Sequence, residues 1–427
     1  MTNAIAARGR LTWLLFCGQS LSLAAFILGS TVGAIVGAQL SGRAALAGLP
    51  TAVYLLGSAL AAYPAARLME RLGRRLGLTL GYAIGIAGAL IAGFSVVARS
   101  FSGFLWGFGL MGITRGFSDL ARYAAAEMYP PSGRARAISL VVLGGTVGAI
   151  AGPALVAPMG RLAMSLDADA LAGPWFASGG LFALGLLLIG FFLRPDPSDL
   201  ARQFASGSQA PVSPAGPVRP LREIMRQPET RVAVSAMVIG QLVMVMLMSI
   251  TSLHMTDHGH TLGDVSLVIM AHTLGMFGLS TISGRLADHI GRAAVILAGA
   301  GLLLAACLLA PLSQDTGLLA LALFVLGLGW NFCYVAGAAL LTDSLTLGER
   351  GRMQGSNDVV VGLVSAAGSL QSGVLFASVG YANLSWISFA VTLIPLLLAF
   401  RLITMRRRQA EAGVSVPVSE HQTAQAE

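Results

Sequence analysis

The sequence predicts an all-α membrane protein with twelve transmembrane helices, arranged as two pseudo-symmetric bundles of six. The chain of 427 residues is 55% hydrophobic and only 11% charged, about half the charged fraction of a typical soluble domain. Apolar runs of about 20 residues, each long enough to cross a bilayer as a helix, recur along the chain. Two loop motifs of the first half return in the second half at nearly constant spacing.

Twelve apolar segments can be placed as membrane spans. The first begins near Leu11 and is predicted to be a transmembrane helix rather than a cleavable signal peptide. The predicted spans are 12–38, 46–67, 77–98, 101–127, 137–159, 173–193, 232–254, 263–284, 291–311, 317–342, 354–379 and 383–402.

The arginine residues predict the orientation of the chain in the membrane. All 27 basic residues are arginine, and 22 of them lie on one side in the predicted topology. Only Arg43, Arg99 and Arg161 lie on the other side, while Arg115 and Arg122 fall within a span. The arginine-rich side is therefore predicted to be cytoplasmic, with both termini on that side. Orientation thus explains the net charge of +8, and no nucleic-acid partner is predicted.

A polar segment divides the chain into two halves. Residues 194–230 are rich in Pro, Ser, Ala and charge, have no apolar period, and are predicted to be a cytoplasmic linker. The linker separates an N-terminal bundle, residues 1–193, from a C-terminal bundle, residues 231–404. Residues 405–427 are predicted to be a polar cytoplasmic tail, disordered after Arg408.

The two halves carry matching loop motifs. "ARLMERLGRR" (66–75) follows the second span and "GRLADHIGRA" (284–293) follows the eighth. Corresponding residues are 218 positions apart: Glu70 and Asp288, Gly73 and Gly291, Arg74 and Arg292. After spans four and ten the separation is 216 positions: Glu127 and Asp343, Arg134 and Arg350, Arg136 and Arg352. Two such similar offsets indicate an internal duplication.

The acid-x-x-Gly-Arg loops resemble the cytoplasmic loop motif of the major facilitator superfamily, and the resemblance covers essentially the whole chain. It implies two six-helix bundles that rock about a site near the membrane midplane. An acid at a helix end and arginines across the loop can pair in one state and separate in the other, while glycine permits the tight turn. The loop residues expected to act in gating are Glu70, Arg71, Gly73, Arg74, Asp288, Gly291 and Arg292. The alternative is that these charges only set the topology.

Two departures from family patterns affect this interpretation. In the first loop, Ala66 and Glu70 stand where the family pattern has Gly and Asp. In the fifth span, "GAIAGP" (148–153) resembles part of the Gly-Pro motif of superfamily antiporters, but Val156 and Ala157 replace its closing glycines. The alternative for this stretch is an element for helix packing and kinking.

Polar residues within spans are costly to bury, which makes them functional candidates. Arg115, Asp119 and Arg122 are spaced to share one face of the fourth span, as a coupling element for protons or anions or as a structural ion-paired stripe. Five other polar residues are expected to line the cavity and bind substrate, or to hold helices together. They are Gln19, Gln241, Trp330, Asn331 and Tyr334.

Methionine and histidine residues concentrate in spans seven and eight. Met244 and Met248 are four residues apart on one helix, as are His272 and Met276 on the next, so each pair shares a helical face. Counted inward from the outer loop, Met244 and His272 both lie roughly 15 Å deep, near the midplane. Thioether and imidazole ligands favour Cu(I) over harder metal ions. The alternative is that the methionines fill gaps in the core and that His272 is a hydrogen-bonded core residue.

The outer loop after span seven adds further potential metal ligands in the stretch "HMTDHGH" (254–260). At the outer mouth, these side chains are expected to capture copper before it enters. The residues are His254, Met255, Asp257, His258 and His260.

Met-x-x-x-Met followed by His-x-x-x-Met is similar to the signature of the CcoA-type copper importers. This bacterial branch of the superfamily supplies copper to cbb3-type cytochrome oxidase. The resemblance implies that Met244, Met248, His272 and Met276 bind copper as transported substrate, with no permanently bound cofactor. It also implies a monomer in the lipid bilayer of the bacterial inner membrane, with periplasmic or cytoplasmic copper carriers as partners.

The sequence thus predicts a copper importer that works by alternating access. No nucleophile-base set and no phosphate-cradling loop is present, so no enzyme is predicted. The three cysteines, Cys17, Cys307 and Cys333, all fall within predicted spans and are expected to be small buried residues without disulfides. The alternatives are an importer of an organic solute such as riboflavin and a proton-coupled multidrug exporter.

Overall fold

A computed structural model describes residues 2–200, 219–312 and 314–411. Residues 201–218 of the predicted linker and 412–427 of the predicted tail lie outside this description. In the first half the helices are α1 (Thr2–Ser41), α2 (Leu49–Leu72), α3 (Arg74–Val97), α4 (Phe101–Ser118), α5 (Ala121–Glu127), α6 (Pro131–Ala154), α7 (Val156–Ser165) and α8 (Gly173–Phe192). In the second half they are α9 (Leu221–Ile224), α10 (Pro228–Asp257), α11 (Leu262–Phe277), α12 (Ser280–Ile290), α13 (Arg292–Leu309), α14 (Thr316–Asp343) and α15 (Leu347–Glu411).

The protein is all-α, and the described residues contain no β-strand. Nine of the described helices are long and apolar enough to cross a membrane, and the bent pair of α11 and α12 makes ten. α15 contains both of the last two predicted spans, which are divided by a backbone kink at Gly380 with φ of 78°. α4 and α5 together cover the predicted fourth span except for Asp119 and Leu120, which lie between them. The described helices therefore overlap every predicted span.

Three predicted spans are broken rather than continuous. The fourth is interrupted at Asp119 and Leu120, between α4 and α5, and the fifth at Leu155, between α6 and α7. The eighth bends by 42° between α11 and α12. At this bend, buried Asn331 on α14 donates from Nδ2 to the carbonyl of Met276 at 2.6 Å and to Ser280 Oγ at 2.8 Å. Its Oδ1 accepts a hydrogen bond from Ser283. One side chain thus satisfies polar groups on both sides of the bend.

The glycines of α6 allow close packing against α1. A Cβ atom at Gly144 would lie 2.4 Å from the carbonyl oxygen of Phe16, and one at Gly148 would lie 2.0 Å from that of Ser20. Both distances exclude any larger side chain. α6 ends at Ala154, directly after Pro153. These contacts support the packing-and-kinking interpretation of "GAIAGP".

Buried apolar residues form two separate cores, one in each half of the chain. The first consists of residues between Leu11 and Leu200, and the second mainly of residues between Ile224 and Leu402. Five residues of the first half nevertheless belong to the second core or pack on it: Ile27, Ala34, Ala38, Ala44 and Ala47. All five lie in the half of α1 remote from the arginine-rich side, or in the turn that follows.

We call the arginine-rich side of the molecule the inner side and the opposite side the outer side. On the outer side, Ser369 Oγ of α15 donates to the carbonyl of Gly48 at 2.9 Å. Gly160 of α7 packs close to Leu262 of α11, since a Cβ atom added at Gly160 would lie 3.4 Å from Leu262 Cδ1. The two halves are therefore packed together on the outer side.

Candidate functional site

On the inner side, the repeated loop motifs form a repeated ion pair. Arg74 donates to Glu127 from Nε at 3.0 Å and from Nη2 at 2.5 Å. In the second half, Arg292 Nε lies 3.1 Å from Asp343 Oδ2. In each half, the first repeated loop motif thus supplies the arginine of the pair and the second repeated motif supplies the acid. Each pair joins helices within one half of the protein.

The acids of the gating motifs themselves behave differently in the two copies. Asp288 pairs with Arg292 at 3.2 Å, whereas Arg74 uses Glu127 as its partner and Glu70 is exposed. The loop acid therefore pairs with the loop arginine in the second copy of the motif, as expected, but not in the first copy.

Both loop glycines have a left-handed backbone conformation. Gly73 has φ of 90° and Gly291 has φ of 93°, a region that strongly favours glycine. Asp196, which follows α8, accepts hydrogen bonds from the backbone amides of Arg74 and Arg75. Because these are the first amides of α3, the carboxylate caps the helix.

Between the two halves, the first half contributes a charged and aromatic surface. Arg115 Nε lies 3.4 Å from Asp119 Oδ2, and the Arg115 guanidinium lies 5.5 Å from the ring centroid of Phe26. Gln19 Nε2 donates to Asp119 Oδ1 at 3.4 Å. Phe26 is stacked on Tyr54 with ring centroids 4.0 Å apart. This surface combines hydrogen-bonding groups with flat apolar faces.

The second half contributes a pair of stacked rings. Trp330 and Tyr334, one turn apart on α14, have centroids 5.0 Å apart and an interplanar angle of 23°. Trp330 Nε1 donates to Gln241 Oε1 of α10 at 2.7 Å, which fixes the indole ring. Phe277 approaches the edge of Trp330 at 6.1 Å. Of the five predicted cavity residues, Asn331 is the exception, because it is buried and holds the α11–α12 bend.

Charged groups of one half lie near ionisable groups of the other. Tyr334 interacts with Asp119, Arg115 and Arg122 of the first half and with Asp358 of the second. Asp358, on α15, also interacts with Arg122. The side chains of these residues are all at least partly exposed. We use the name central cavity for the region around Arg115, Arg122, Trp330, Tyr334 and Asp358.

The charges of the predicted stripe in span four are divided by the helix break. Asp119 pairs with Arg115, as the spacing predicted. Arg122 lies beyond the break, with its guanidinium 4.9 Å from the ring centroid of Tyr123, and its Nε is buried without a hydrogen-bond partner in the described chain. Sequence reasoning missed Asp358, although an acid four residues inside a predicted span is itself a signal of function.

The residues of the predicted metal site lie on two helices that α14 separates. α14 packs closely against both α10 and α11, while α10 and α11 contact each other only slightly. The two helices that carry the predicted ligands are therefore not packed directly on each other. Met244 is buried and Met248 and Met276 are half-buried. An ion bound by all four side chains would have to lie beside α14.

His272 is 1% exposed and has one free ring nitrogen. Its Nδ1 donates to the carbonyl of Leu323 on α14 at 2.9 Å, since a carbonyl can only accept. Nε2 is therefore the unprotonated nitrogen, and it is buried with no hydrogen-bond partner among the described residues. A histidine that ligates a metal is commonly oriented in this way.

The outer loop brings two of its potential ligands together, since the ring centroids of His254 and His258 are 4.4 Å apart. The ring of His254 stacks on Tyr381 at 4.2 Å, and His260 Nδ1 lies 3.2 Å from Thr316 Oγ1. Met255 is fully buried. Across the described chain, no group of three or more His, Cys, Asp or Glu side chains is arranged to hold a metal ion. That finding concerns these residue types and does not test the Met/His site.

The three cysteines are free, and they do not share one environment. Cys307 and Cys333 are buried, as expected for small apolar side chains. Cys17 is exposed on α1, so the expectation of burial was wrong for this residue. A residue within an apolar span can face outward from its bundle, and the span pattern alone does not give that direction.

Two cores built from membrane-length helices define a polytopic membrane protein. The family model of the Major Facilitator Superfamily matches residues 14–261 and 232–424. The chain belongs to this superfamily.

Relatives and solved structures agree with this assignment. YdeG of Bacillus subtilis (strain 168), an uncharacterized MFS-type transporter, is 35% identical over 368 residues, which cover 86% of this chain and 85% of that protein. The riboflavin transporter RfnT of Brucella anthropi is 33% identical over 404 residues, covering 94% and 98%. The fold is similar to that of a bacterial homolog of the human lysosomal transporter Spinster, with a TM-score of 0.70, 16% identity and coverage of 94% and 97%.

Proposed function

We propose that the protein imports a flat heteroaromatic organic solute across the bacterial cytoplasmic membrane, with riboflavin as the first candidate. The observation that carries this proposal is the stacked pair of Trp330 and Tyr334 in the central cavity. The similarity to RfnT over nearly the whole of both chains supports the choice of riboflavin. This proposal replaces copper as the leading candidate substrate.

The chemistry of the cavity suits such a solute. A planar ring system can lie against the aromatic faces of α14, a contact worth about 0.5–1.5 kcal/mol beyond the area that it buries. The polar edge of the ring needs hydrogen-bond donors and acceptors, which Gln19, Arg115 and Asp119 present from the opposite half. Recognition of both faces and edges requires the two halves together, as alternating access demands.

We infer an inward-facing state from the packing of the two halves on the outer side. In this state a bound solute leaves toward the arginine-rich side, which the positive-inside rule assigns to the cytoplasm together with both termini. Import then requires the outer contacts, such as that of Ser369 with Gly48, to separate when the inner side closes.

The test is uptake of radiolabelled riboflavin by cells that express the wild type, Trp330→Ala or Trp106→Ala. Trp106 is 75% exposed on the outside of the first bundle, so it is a matched control for the same chemical change. We expect Trp330→Ala to reduce uptake by about tenfold, as expected for loss of a principal contact of about 1.4 kcal/mol, and Trp106→Ala to match the wild type. Absence of riboflavin uptake by the wild type contradicts the proposal. Energy-dependent loss of preloaded solute would instead indicate the exporter alternative.

Copper remains a second candidate substrate because of the free Nε2 of His272. A buried nitrogen lone pair with no partner costs free energy unless a ligand uses it. Met244, Met248 and Met276 on α10 and α11 would supply the thioether ligands that Cu(I) prefers. The ion would be transported substrate.

Uptake of ⁶⁴Cu separates this candidate from the first. If copper is the substrate, we expect its uptake to be lost in Met244→Ala and His272→Ala. Uptake should be retained in the control Met246→Ala, which removes a buried methionine outside the predicted ligand set. Unchanged copper uptake in the first two variants, at normal expression, would rule out this site.

A further inference from the structure

One face of α2 changes from apolar to cationic as it approaches the inner side. Leu56, Leu60 and Tyr63 on this face are 42%, 76% and 68% exposed, and Arg67 and Arg71 follow at helical spacing. The opposite face, with Ala61, Ala65 and Met69, is buried in the first core. The predicted span ends at Arg67, so the cationic end of this face is expected at the inner boundary of the membrane.

A groove with a volume of about 350 Å³ lies on this face at the inner end of α2. Its lining residues are Tyr63, Pro64, Arg67, Leu68 and Arg71. Arg67 is held in place, since its Nε donates to Tyr63 Oη at 3.0 Å and its guanidinium lies 5.3 Å from the Tyr63 ring centroid. Within the described residues, no carboxylate lies within ion-pair distance of Arg67 or Arg71.

We propose that this groove binds the headgroup phosphate of an anionic phospholipid of the inner leaflet. The two guanidinium groups supply the charge and the planar donor geometry that phosphate oxygens accept. Tyr63 lies at the depth where aromatic residues of membrane proteins meet the headgroups. Leu60 and Leu56 continue the face toward the midplane, where the acyl chains lie.

The internal repeat supplies a comparison site. Arg285 on α12 occupies the position of Arg67, 218 residues later, and it is also exposed. At the corresponding positions the second half has Thr281 in place of Tyr63 and His289 in place of Arg71. Arg285 thus lies at the same place near a helix end as Arg67, but its neighbours include neither the tyrosine nor the second arginine of the groove.

The test measures lipid retained by the full-length protein in detergent micelles, titrated with phosphatidylglycerol, phosphatidylcholine or inorganic phosphate. We expect Arg67→Gln to weaken retention of phosphatidylglycerol about fivefold and Arg67→Gln/Arg71→Gln about 25-fold, since each arginine near an anionic headgroup contributes about a factor of five. Arg285→Gln is expected to retain the lipid as the wild type does. Phosphatidylglycerol is expected to raise the unfolding temperature of the wild type and of Arg285→Gln. The rise is expected to be smaller in the double variant.

Three results would overturn the proposal. They are equal retention of phosphatidylglycerol by the double variant and the wild type, equal retention of phosphatidylcholine and phosphatidylglycerol by the wild type, and displacement of the lipid by millimolar inorganic phosphate. The last result would show a site for a free anion. Size-exclusion chromatography of each variant confirms that a loss of lipid binding does not arise from misfolding.

Discussion

Arg74 and Glu127 form a bidentate ion pair that ties the start of α3 to the end of α5. The second half repeats it as Arg292 and Asp343. Each member of these pairs comes from a different loop motif, so the two motifs have one joint role in each bundle. The pairs stabilise the inner end of each bundle as a unit.

The first ion pair is expected to contribute more stability than the second. The side chains of Arg74 and Glu127 are 15% and 34% exposed, against 33% and 55% for Arg292 and Asp343, so solvent screens the second pair more. A double-mutant cycle with glutamine at each position is expected to give a coupling of about 1–2 kcal/mol for the first pair and less than about 1 kcal/mol for the second. Thermal unfolding in detergent measures both, and a larger coupling in the second pair would refute the argument.

Arg122 and Asp358 are expected to attract each other when the inner side closes, since they carry opposite charges on opposite halves. Asp358→Asn and Arg122→Gln should each reduce the uptake rate by about tenfold, the effect of losing one charge-assisted interaction of about 1.4 kcal/mol. The exchange Arg122→Asp/Asp358→Arg should recover part of the rate. Asp167→Asn, at an exposed outer turn, serves as the control. A complete loss in the exchanged variant, at normal expression, would count against a direct interaction.

Gln241 is expected to set solute affinity by fixing the indole of Trp330. Gln241→Leu removes the acceptor at 2.7 Å and leaves Trp330 Nε1 unpaired. The dissociation constant for the transported solute should rise about tenfold, in line with a cost of about 1–2 kcal/mol. Quenching of tryptophan fluorescence measures the constant. Gln354→Leu on the exposed inner surface should leave it unchanged, and an equal effect of both substitutions would contradict the assignment.

Asn331 is expected to be a stability determinant rather than a substrate contact. Asn331→Leu leaves the Met276 carbonyl and the Ser280 and Ser283 hydroxyls without this partner, which should cost about 2–3 kcal/mol. Asn383→Leu, at an exposed position where the side chain bonds to Val379 O, should cost far less. Unfolding temperatures compare the two. Similar temperatures for both variants would show that the bend does not depend on Asn331.

Stability is expected to fall at acidic pH through Glu349. Arg219 donates to its carboxylate from Nε and Nη2 at 2.7 Å, and this lowers the pKa of Glu349 well below its ordinary value of 4.5. The folded state therefore binds fewer protons than the unfolded state, so the contribution is complete above pH 4.5 and is lost progressively as pH falls below that value. Glu349→Gln should be less stable at pH 7, and the difference from the wild type should shrink toward pH 3 in thermal unfolding. A difference independent of pH would contradict this account.

Some site features were predictable from spacing alone. The Arg115–Asp119 pair follows from a four-residue separation on one helix, and the two left-handed loop glycines follow from their motif. The break at Asp119 and Leu120 was not predictable from spacing, although Arg115, Asp119 and Arg122 all lie near Tyr334. Asp358 was visible as an intramembrane acid, but its relation to Arg122 spans more than 200 residues of sequence.

The sequence by itself determined the helical class and the repeated loop motifs, and it predicted the membrane segments and their orientation. These depend on local hydropathy and charge, because the bilayer acts on each segment separately. The tertiary structure decided that α14 lies between α10 and α11, that Asn331 holds a helix bend, and that Arg122 lies near Asp358. Such relationships join residues distant in the chain, and they follow from how helices pack on one another, which the pattern of a single helix does not encode.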